Sequence, residues 1–189
     1  MFKLKIITST TRPGRKGSSI ASWVKEVTSS HKDFDVEVLD LGEINLPLMD
    51  EAAHPRMKTY EHAHTKKWSA KIEEADAFVI VLAEYNYGFP APIKNAIDYL
   101  HNEWAYKPLG FVSYGGLAGG TRSVQMLKEV LTTLKIVPLT EAVAIPFFTK
   151  YFDDQDNFKG DAGLEKSAGI MLTELLRWTK ALKPLRNPQ

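Results

Sequence analysis

The segment that most constrains the fold is Ala77-Phe-Val-Ile-Val-Leu-Ala83, which carries no polar side chain. Neighbouring residues of a strand face opposite sides, so a strand without alternation must be covered on both faces. It therefore belongs in the middle of a sheet with helices above and below. Residues 4–8 form a similar short run rich in β-branched side chains. Phe34, Val36, Val38 and Leu39 mark a further strand, with two more over residues 109–114 and 143–145. Helical spacing separates them: Ile20, Ala21, Val24 and Val27 form one apolar stripe, and Val124, Leu127, Val130, Leu131 and Leu134 another. Ser18 or Ser19 is expected to cap the first helix. Further helices are expected over residues 58–74 and 93–100. The last begins near Ala162, with Ala168, Met171, Leu172, Leu175 and Leu182 inward. Pro47 and Pro55 break residues 42–57 into irregular structure.

Strands alternating with helices predict an α/β parallel sheet joined by right-handed crossovers. One domain is expected over residues 1–183, followed by a loosely ordered tail over 184–189 that contains Pro184 and Pro188. The balance of 24 basic and 23 acidic side chains offers no global field for nucleic acid or an anionic membrane. The chain has no cysteine, which excludes disulfides, thiol catalysis and cysteine-ligated metal. No stretch approaches the ~18 apolar residues of a membrane span, and the first residues are too short an apolar run for a signal peptide. The expected compartment is the cytoplasm. Before the first acid, Glu26, the chain carries Lys3, Lys5, Arg12, Arg15, Lys16 and Lys25, a segment able to receive an anion.

Polar and glycine-rich residues gather after the first, third and fourth strands. In an open parallel sheet these loops meet at the carboxyl edge, where such folds bind ligands. The first, Thr8-Ser-Thr-Thr-Arg-Pro-Gly-Arg-Lys-Gly-Ser-Ser19, combines hydroxyls, backbone N–H groups and a helix N-terminus, which suits a phosphate. Arg12 or Arg15 adds paired, charge-assisted hydrogen bonds. It is neither a Walker loop nor a Gly-x-Gly-x-x-Gly turn, which points to a terminal monophosphate such as FMN carries. The second loop is Glu84-Tyr-Asn-Tyr-Gly-Phe-Pro-Ala-Pro-Ile-Lys-Asn-Ala-Ile-Asp98, and the third is Tyr114-Gly-Gly-Leu-Ala-Gly-Gly-Thr-Arg122.

These three motifs, in this order, resemble the NADPH-dependent FMN reductase family, the flavodoxin-like reductases of flavins, quinones and azo dyes. The most specific match is Glu84-Tyr85-Asn86, then Pro90, then Lys94-Asn95-Ala96-Ile97-Asp98, and similarity runs over roughly residues 4–134. The resemblance implies a flavodoxin-like five-stranded parallel sheet of order 2-1-3-4-5 with helices on both faces. It implies that Thr10, Arg12, Arg15, Gly17, Ser18, Ser19 and Ile20 grip the FMN phosphate. Glu84, Tyr85, Asn86 and Tyr87 would line the isoalloxazine, and Ser113, Tyr114, Gly115 and Gly116 would meet its pyrimidine edge. Donors near N1 and O2 would stabilise the negative charge of reduced flavin. No side chain is assigned as catalytic and none as a metal ligand, because the flavin carries the chemistry. NADPH or NADH would give hydride to N5, and a quinone, free flavin, azo compound or metal oxyanion would then take the electrons from the same face.

Two positions depart from the family pattern. Ser9 stands where glycine is usual, and Ala83 where proline often precedes Glu84. Ser9 is expected to shift the phosphate seat, and Ala83 to loosen the approach of the strand to the ring. Lys94, Asn95 and Asp98 are expected to hold the loop through structural hydrogen bonds. His54, His62 and His64 are expected at the surface, the His-x-His pair lacking nearby acids. By analogy with the family, Trp104, Tyr106 and Tyr99 suit a subunit interface of a homodimer or homotetramer. Residues 151–158 read as a surface loop that would lie beside a partner subunit's site. The alternatives are an FMN electron carrier without a nicotinamide site, against which the net charge of +1 argues, a regulatory domain that has lost flavin, and the reductase partner of a two-component monooxygenase.

Overall fold

A computed structural model describes residues 1–186. Its five strands are β1 (Phe2–Thr8), β2 (Phe34–Asp40), β3 (Ala77–Ala83), β4 (Pro108–Tyr114) and β5 (Val137–Ile145). They form one sheet in the order β2-β1-β3-β4-β5, and every pairing is parallel. The helices are α1 (Gly17–Thr28), α2 (Leu41–Ile44), α3 (Ala63–Glu73), α4 (Ala91–Asp98), α5 (Thr121–Thr132) and α6 (Ala162–Leu182).

The all-apolar composition of β3 follows from its place. Ala77, Val79, Val81 and Ala83 join the core beneath α1 and α6, with Ile20, Val24, Met171, Leu172 and Leu175. Phe78, Ile80 and Leu82 point the other way, to Trp68 of α3, Ile93 and Ile97 of α4, and Leu127 and Leu131 of α5. The chain leaves β1 for α1 on one face and leaves β3 for α4 on the other. The crevice between β1 and β3 therefore opens at the carboxyl edge.

The structure differs from the sequence expectation at several boundaries. Helix α1 begins at Gly17, with Lys16 as its N-cap and no side-chain cap, so Ser18 and Ser19 lie inside its first turn. Helix α3 begins only at Ala63. The Glu51 carboxylate accepts from the N–H groups of Glu61 (2.8 Å) and His62 (3.0 Å), and Lys58 takes a left-handed φ of 55°. Both hold the lead-in chain out of the helix. Strand β5 begins six residues before Val143, at Val137. It is an edge strand, where Pro138 is tolerated and polar residues break the apolar run, and its register with β4 shifts between Leu109 and Phe111.

Residues 184–186, placed at the start of a loose tail by sequence, belong with Lys183 to a 3-10 turn. Arg186 anchors that turn by donating to Asp76 Oδ1 (2.9 Å), Asp76 O (2.8 Å) and Tyr106 O (3.1 Å). Residues 187–189 of the expected tail lie outside the described residues. The interface assignment for Trp104 and Tyr99 is corrected: both are buried inside this one chain. Trp104 packs edge-on to Trp68 and against Phe78. His62 and His64 also have acids beside them, since His64 Nε2 meets Asp50 Oδ1 at 2.9 Å.

Candidate active site

The first loop brings helix α1 in with its leading N–H groups unmet. Ile20 N–H closes the first helical bond, to Lys16 O at 3.2 Å. Among the described residues, no acceptor meets the N–H groups of Gly17, Ser18 or Ser19, or the hydroxyls of Ser18 and Ser19. Such a cluster at a positive helix end is an anion seat. Gly17 leaves room there, because a Cβ would sit 3.0 Å from Thr10 Oγ1 and 3.2 Å from the Tyr114 hydroxyl and press both aside. Ile20 does not belong to this seat, since its N–H is bonded and its side chain is in the core.

The second loop opens with a tight turn invisible to periodicity. Tyr85 and Gly88 exchange both backbone hydrogen bonds at 2.9 Å. The two residues between them, Asn86 (φ 48°) and Tyr87 (φ 71°), are both left-handed. That is the signature of a type I′ turn, which normally favours glycine at its second position. Tyr87 leans outward onto Arg122, whose guanidinium lies 3.7 Å from the ring centre. Arg122 donates from Nε to Glu84 Oε1 at 2.7 Å, an ion pair that raises the Arg122 pKa. Glu84 Oε2 is buried without a partner among the described residues.

The third loop folds back on β4. Ser113 Oγ donates to Gly119 O at 2.8 Å, so this side chain pins the loop instead of facing the crevice. Gly119 (φ 58°) and Gly120 (φ 82°) make the reversal, and a Cβ on Gly120 would meet Tyr114 N at 2.8 Å. Gly115 N–H is occupied by Ile145 O at 3.3 Å, whereas no acceptor meets Gly116 N–H among the described residues.

A cavity of about 430 Å³ lies where the three loops meet, within the ~300–1,000 Å³ range of small-molecule sites. Of the residues expected from sequence, Arg12, Arg15, Glu84, Tyr85, Asn86, Tyr114, Gly115 and Gly116 line it. Thr10 and Gly17 lie directly beneath, next to the Tyr114 hydroxyl. Larger cavities exist elsewhere, one of about 710 Å³ beside β2 and α3, but none is lined by residues of the three loops.

Four cations ring this end of the sheet, and three are neutralised. Arg15 Nη2 pairs with Asp40 Oδ2 at 3.1 Å, Lys16 with Asp156, and Arg122 with Glu84. Arg12 has no ion-pair partner among the described residues and lies 5.8 Å over the Tyr85 ring. Lys16, read from sequence as part of the anion-receiving segment, and Ala83, read as adjoining the ring, also line the cavity, and sequence reasoning missed Phe148. Phe148 follows β5 after the left-handed Phe147, which turns the chain toward Gly115 and Gly116, and the Phe148 ring meets Tyr114 edge-on at 5.1 Å. The 151–158 loop, read as a possible neighbour of a partner's site, flanks this chain's own, through Asp156 and through Phe152 beneath Lys16. The only signal for it was the density of aromatics from Phe147 to Phe158.

The two departures prove to be one feature. Ser9 is fully buried, and its hydroxyl accepts from Ala83 N–H at 3.0 Å, bridging β1 to β3. Ser9 therefore points into the sheet and not into the phosphate seat. Ala83 is tied to the neighbouring strand through the very N–H that a proline would lack.

These observations agree with what the chain is similar to. The model of the NADPH-dependent FMN reductase family matches residues 2–150. An NAD(P)H-dependent FMN reductase of Schizosaccharomyces pombe is 42% identical over 148 residues, 76% of this chain and 74% of that protein. One from Saccharomyces cerevisiae is 37% identical over 146 residues, 71% of this chain and 76% of that protein. The solved structure of the Paracoccus denitrificans flavoenzyme NAD(P)H:(acceptor) oxidoreductase FerB superposes with a TM-score of 0.78, covering 96% of this chain and 99% of that one. At 17% identity it speaks for the fold alone. The family match runs through all five strands and the loops that line the crevice, and the chain belongs to the NADPH-dependent FMN reductase family.

Proposed function

We propose that this chain is an FMN-dependent NAD(P)H oxidoreductase that reduces a small acceptor, such as a quinone, free flavin, azo compound or metal oxyanion, by a ping-pong scheme. The observation that carries the reading is the meeting of three loops around one cavity lined by Arg12, Gly116 and aromatic side chains, with the unmet donors of Gly17, Ser18 and Ser19 outside its lining but next along the chain from Lys16, which lines it. The residues present fit FMN: a phosphate needs the donors of Gly17, Ser18 and Ser19, and a flat ring needs walls such as Tyr85, Asn86 and Gly116. When bound, FMN supplies a two-electron store that accepts hydride from NAD(P)H and passes it to the second substrate, one exchange after the other.

The rest is done by this chain's own groups. Thr10, Gly17, Ser18 and Ser19 bind the phosphate, and the α1 dipole favours its charge. Arg12 supplies the unpaired cation at the mouth. Arg15, held by Asp40, shapes the loop and adds its field from behind. The Arg122–Glu84 pair and the strained Asn86–Tyr87 turn hold the second loop in one position, so little reorganisation is needed on binding. Gly116 has no atom within 4 Å of a would-be Cβ, which lets its backbone approach a ligand closely. Tyr85 and Phe148 offer ring faces to flat, conjugated substrates.

The test is direct. Protein loaded with FMN should consume NADPH or NADH at steady state when a quinone or free flavin is supplied, with parallel-line initial-rate kinetics. Failure to oxidise either nicotinamide with any such acceptor refutes the enzyme, and single-turnover reduction without steady-state consumption would make the chain an electron carrier instead. Cytoplasmic action and a homodimer or homotetramer complete the proposal on the strength of the resemblance. Among the described residues no helix is long and apolar enough to cross a membrane.

A further inference from the structure

Tyr114 ends β4, yet its hydroxyl lies against the first loop. In the sheet Tyr114 pairs with Ala83 of β3, and β3 in turn pairs with β1. Strands lie about 4.8 Å apart, so the phenol must cross the end of β3 to reach the β1 loop. It can do so because Ala83 is small. The phenol oxygen arrives 3.4 Å from Thr10 Oγ1, at the outer limit of a hydrogen bond. It also stands 3.2 Å from where a Cβ on Gly17 would be, at the open N-terminus of α1. Phe148 backs the ring edge-on, and only 5% of the residue is exposed. A buried phenol with one long, neutral partner, set among unmet N–H donors, is a hydrogen-bond donor awaiting an acceptor. Burial also pushes its pKa up to about 12, so the proton is present throughout the neutral range.

We infer that the Tyr114 hydroxyl is a donor to the FMN phosphate, delivered from the third loop across Ala83, and that with Thr10 it sets the preference for phosphorylated over unphosphorylated flavin. This reassigns Tyr114 from the pyrimidine edge of the ring to the opposite end of the cofactor, and it rests on the FMN reading above. It also gives Gly17 a second role, as the opening through which the phenol reaches the seat.

Tyr114→Phe removes one oxygen and keeps the ring and its contact with Phe148. The measurement is the dissociation constant for FMN and, separately, for riboflavin, by quenching of flavin fluorescence, with a thermal melt of each protein. A hydrogen bond to a charged group is worth roughly a tenfold to hundredfold change in affinity. FMN affinity should therefore fall by about that much, riboflavin affinity by less than about twofold, and the melting temperature should barely move. Thr10→Val should show the same phosphate-dependent pattern more weakly. If wild type prefers FMN and Tyr114→Phe weakens both flavins equally, or neither, the inference is overturned while the FMN reading stands. If wild type binds neither flavin, the FMN reading fails and this inference with it.

Discussion

The two edges of this sheet are built from the same strands and treated in opposite ways. At the amino edge charged groups are met, by opposite charges or by backbone carbonyls. Asp76 receives Lys3 N–H (2.9 Å), Arg186 Nη1 (2.9 Å) and Lys183 Nζ (3.1 Å). Glu74 binds both Lys3 and Lys5, and Lys107 Nζ donates to Ile72 O and Glu73 O at 2.6 and 2.9 Å. At the carboxyl edge the N–H groups at the start of α1 are unmet, and Arg15 Nε and Glu84 Oε2 are buried without partners among the described residues. Asn86, Tyr87, Gly119, Gly120 and Phe147 hold left-handed conformations there. One edge completes the fold. The other holds unmet groups in place at a cost in stability, as binding sites do.

That contrast can be broken most forcefully at the third loop. Gly120→Ala places a Cβ 2.8–3.0 Å from Tyr114 backbone atoms at a φ of 82°. It should lower stability by about 3 kcal/mol or more and abolish FMN binding together with it. Retention of FMN affinity in a destabilised protein would mean that the loop is not part of the seat. Next in size is Asp76→Ala, which strips Arg186 of its carboxylate and should cost about 2–3 kcal/mol. FMN affinity at a temperature where the variant remains folded should not change. A parallel loss of affinity would show that the two edges are coupled.

Smaller, and sharper, is a double-mutant cycle on the Ser9–Ala83 bridge. Ser9→Ala alone leaves a buried N–H unmet and should cost about 1–2 kcal/mol. In an Ala83→Pro background, which has no N–H to satisfy, the same change should cost about 1 kcal/mol less. Strict additivity in chemical denaturation would dissolve the pair. The least effect is expected from acid at the amino edge. Hydrogen bonds from Lys3 and Lys5 hold the Glu74 carboxyl down to about 2. Its contribution is therefore complete above the unfolded carboxylate range near ~4.3 and disappears as pH falls through about 2. Glu74→Gln should melt slightly lower than wild type at pH 6 and converge with it near pH 2. Because Glu74 is about one-third exposed, solvent screening keeps this difference small. A constant offset at all pH values would assign the loss to packing.

Much of the plan was legible because burial on both faces leaves a mark in the sequence. Ala77–Ala83 announced a central strand, the stripes of α1, α5 and α6 announced their helices, and the order of the three loops announced a shared edge. Most of β5 was hidden because an edge strand tolerates Pro138, Thr140 and Glu141. The start of α3 was hidden because Glu51, ten residues from Glu61, decides it by accepting backbone N–H groups. Trp104 and Tyr99 were read by analogy as a subunit interface, because an aromatic-rich stretch suits either interface or core, and only packing against Trp68, Phe78 and α4 placed them inside.

The sequence by itself determined the class of fold, the parallel sheet and the loops that would meet, since periodicity and glycine placement are local properties of the chain. Tertiary structure alone decided which cations are neutralised, that Ser9 answers Ala83, and that Tyr114 leaves its own loop for another. Those outcomes depend on distances between groups 25 to 140 residues apart. Charge pairing and hydrogen bonding act through space over a few ångströms, and no spacing along the chain records them.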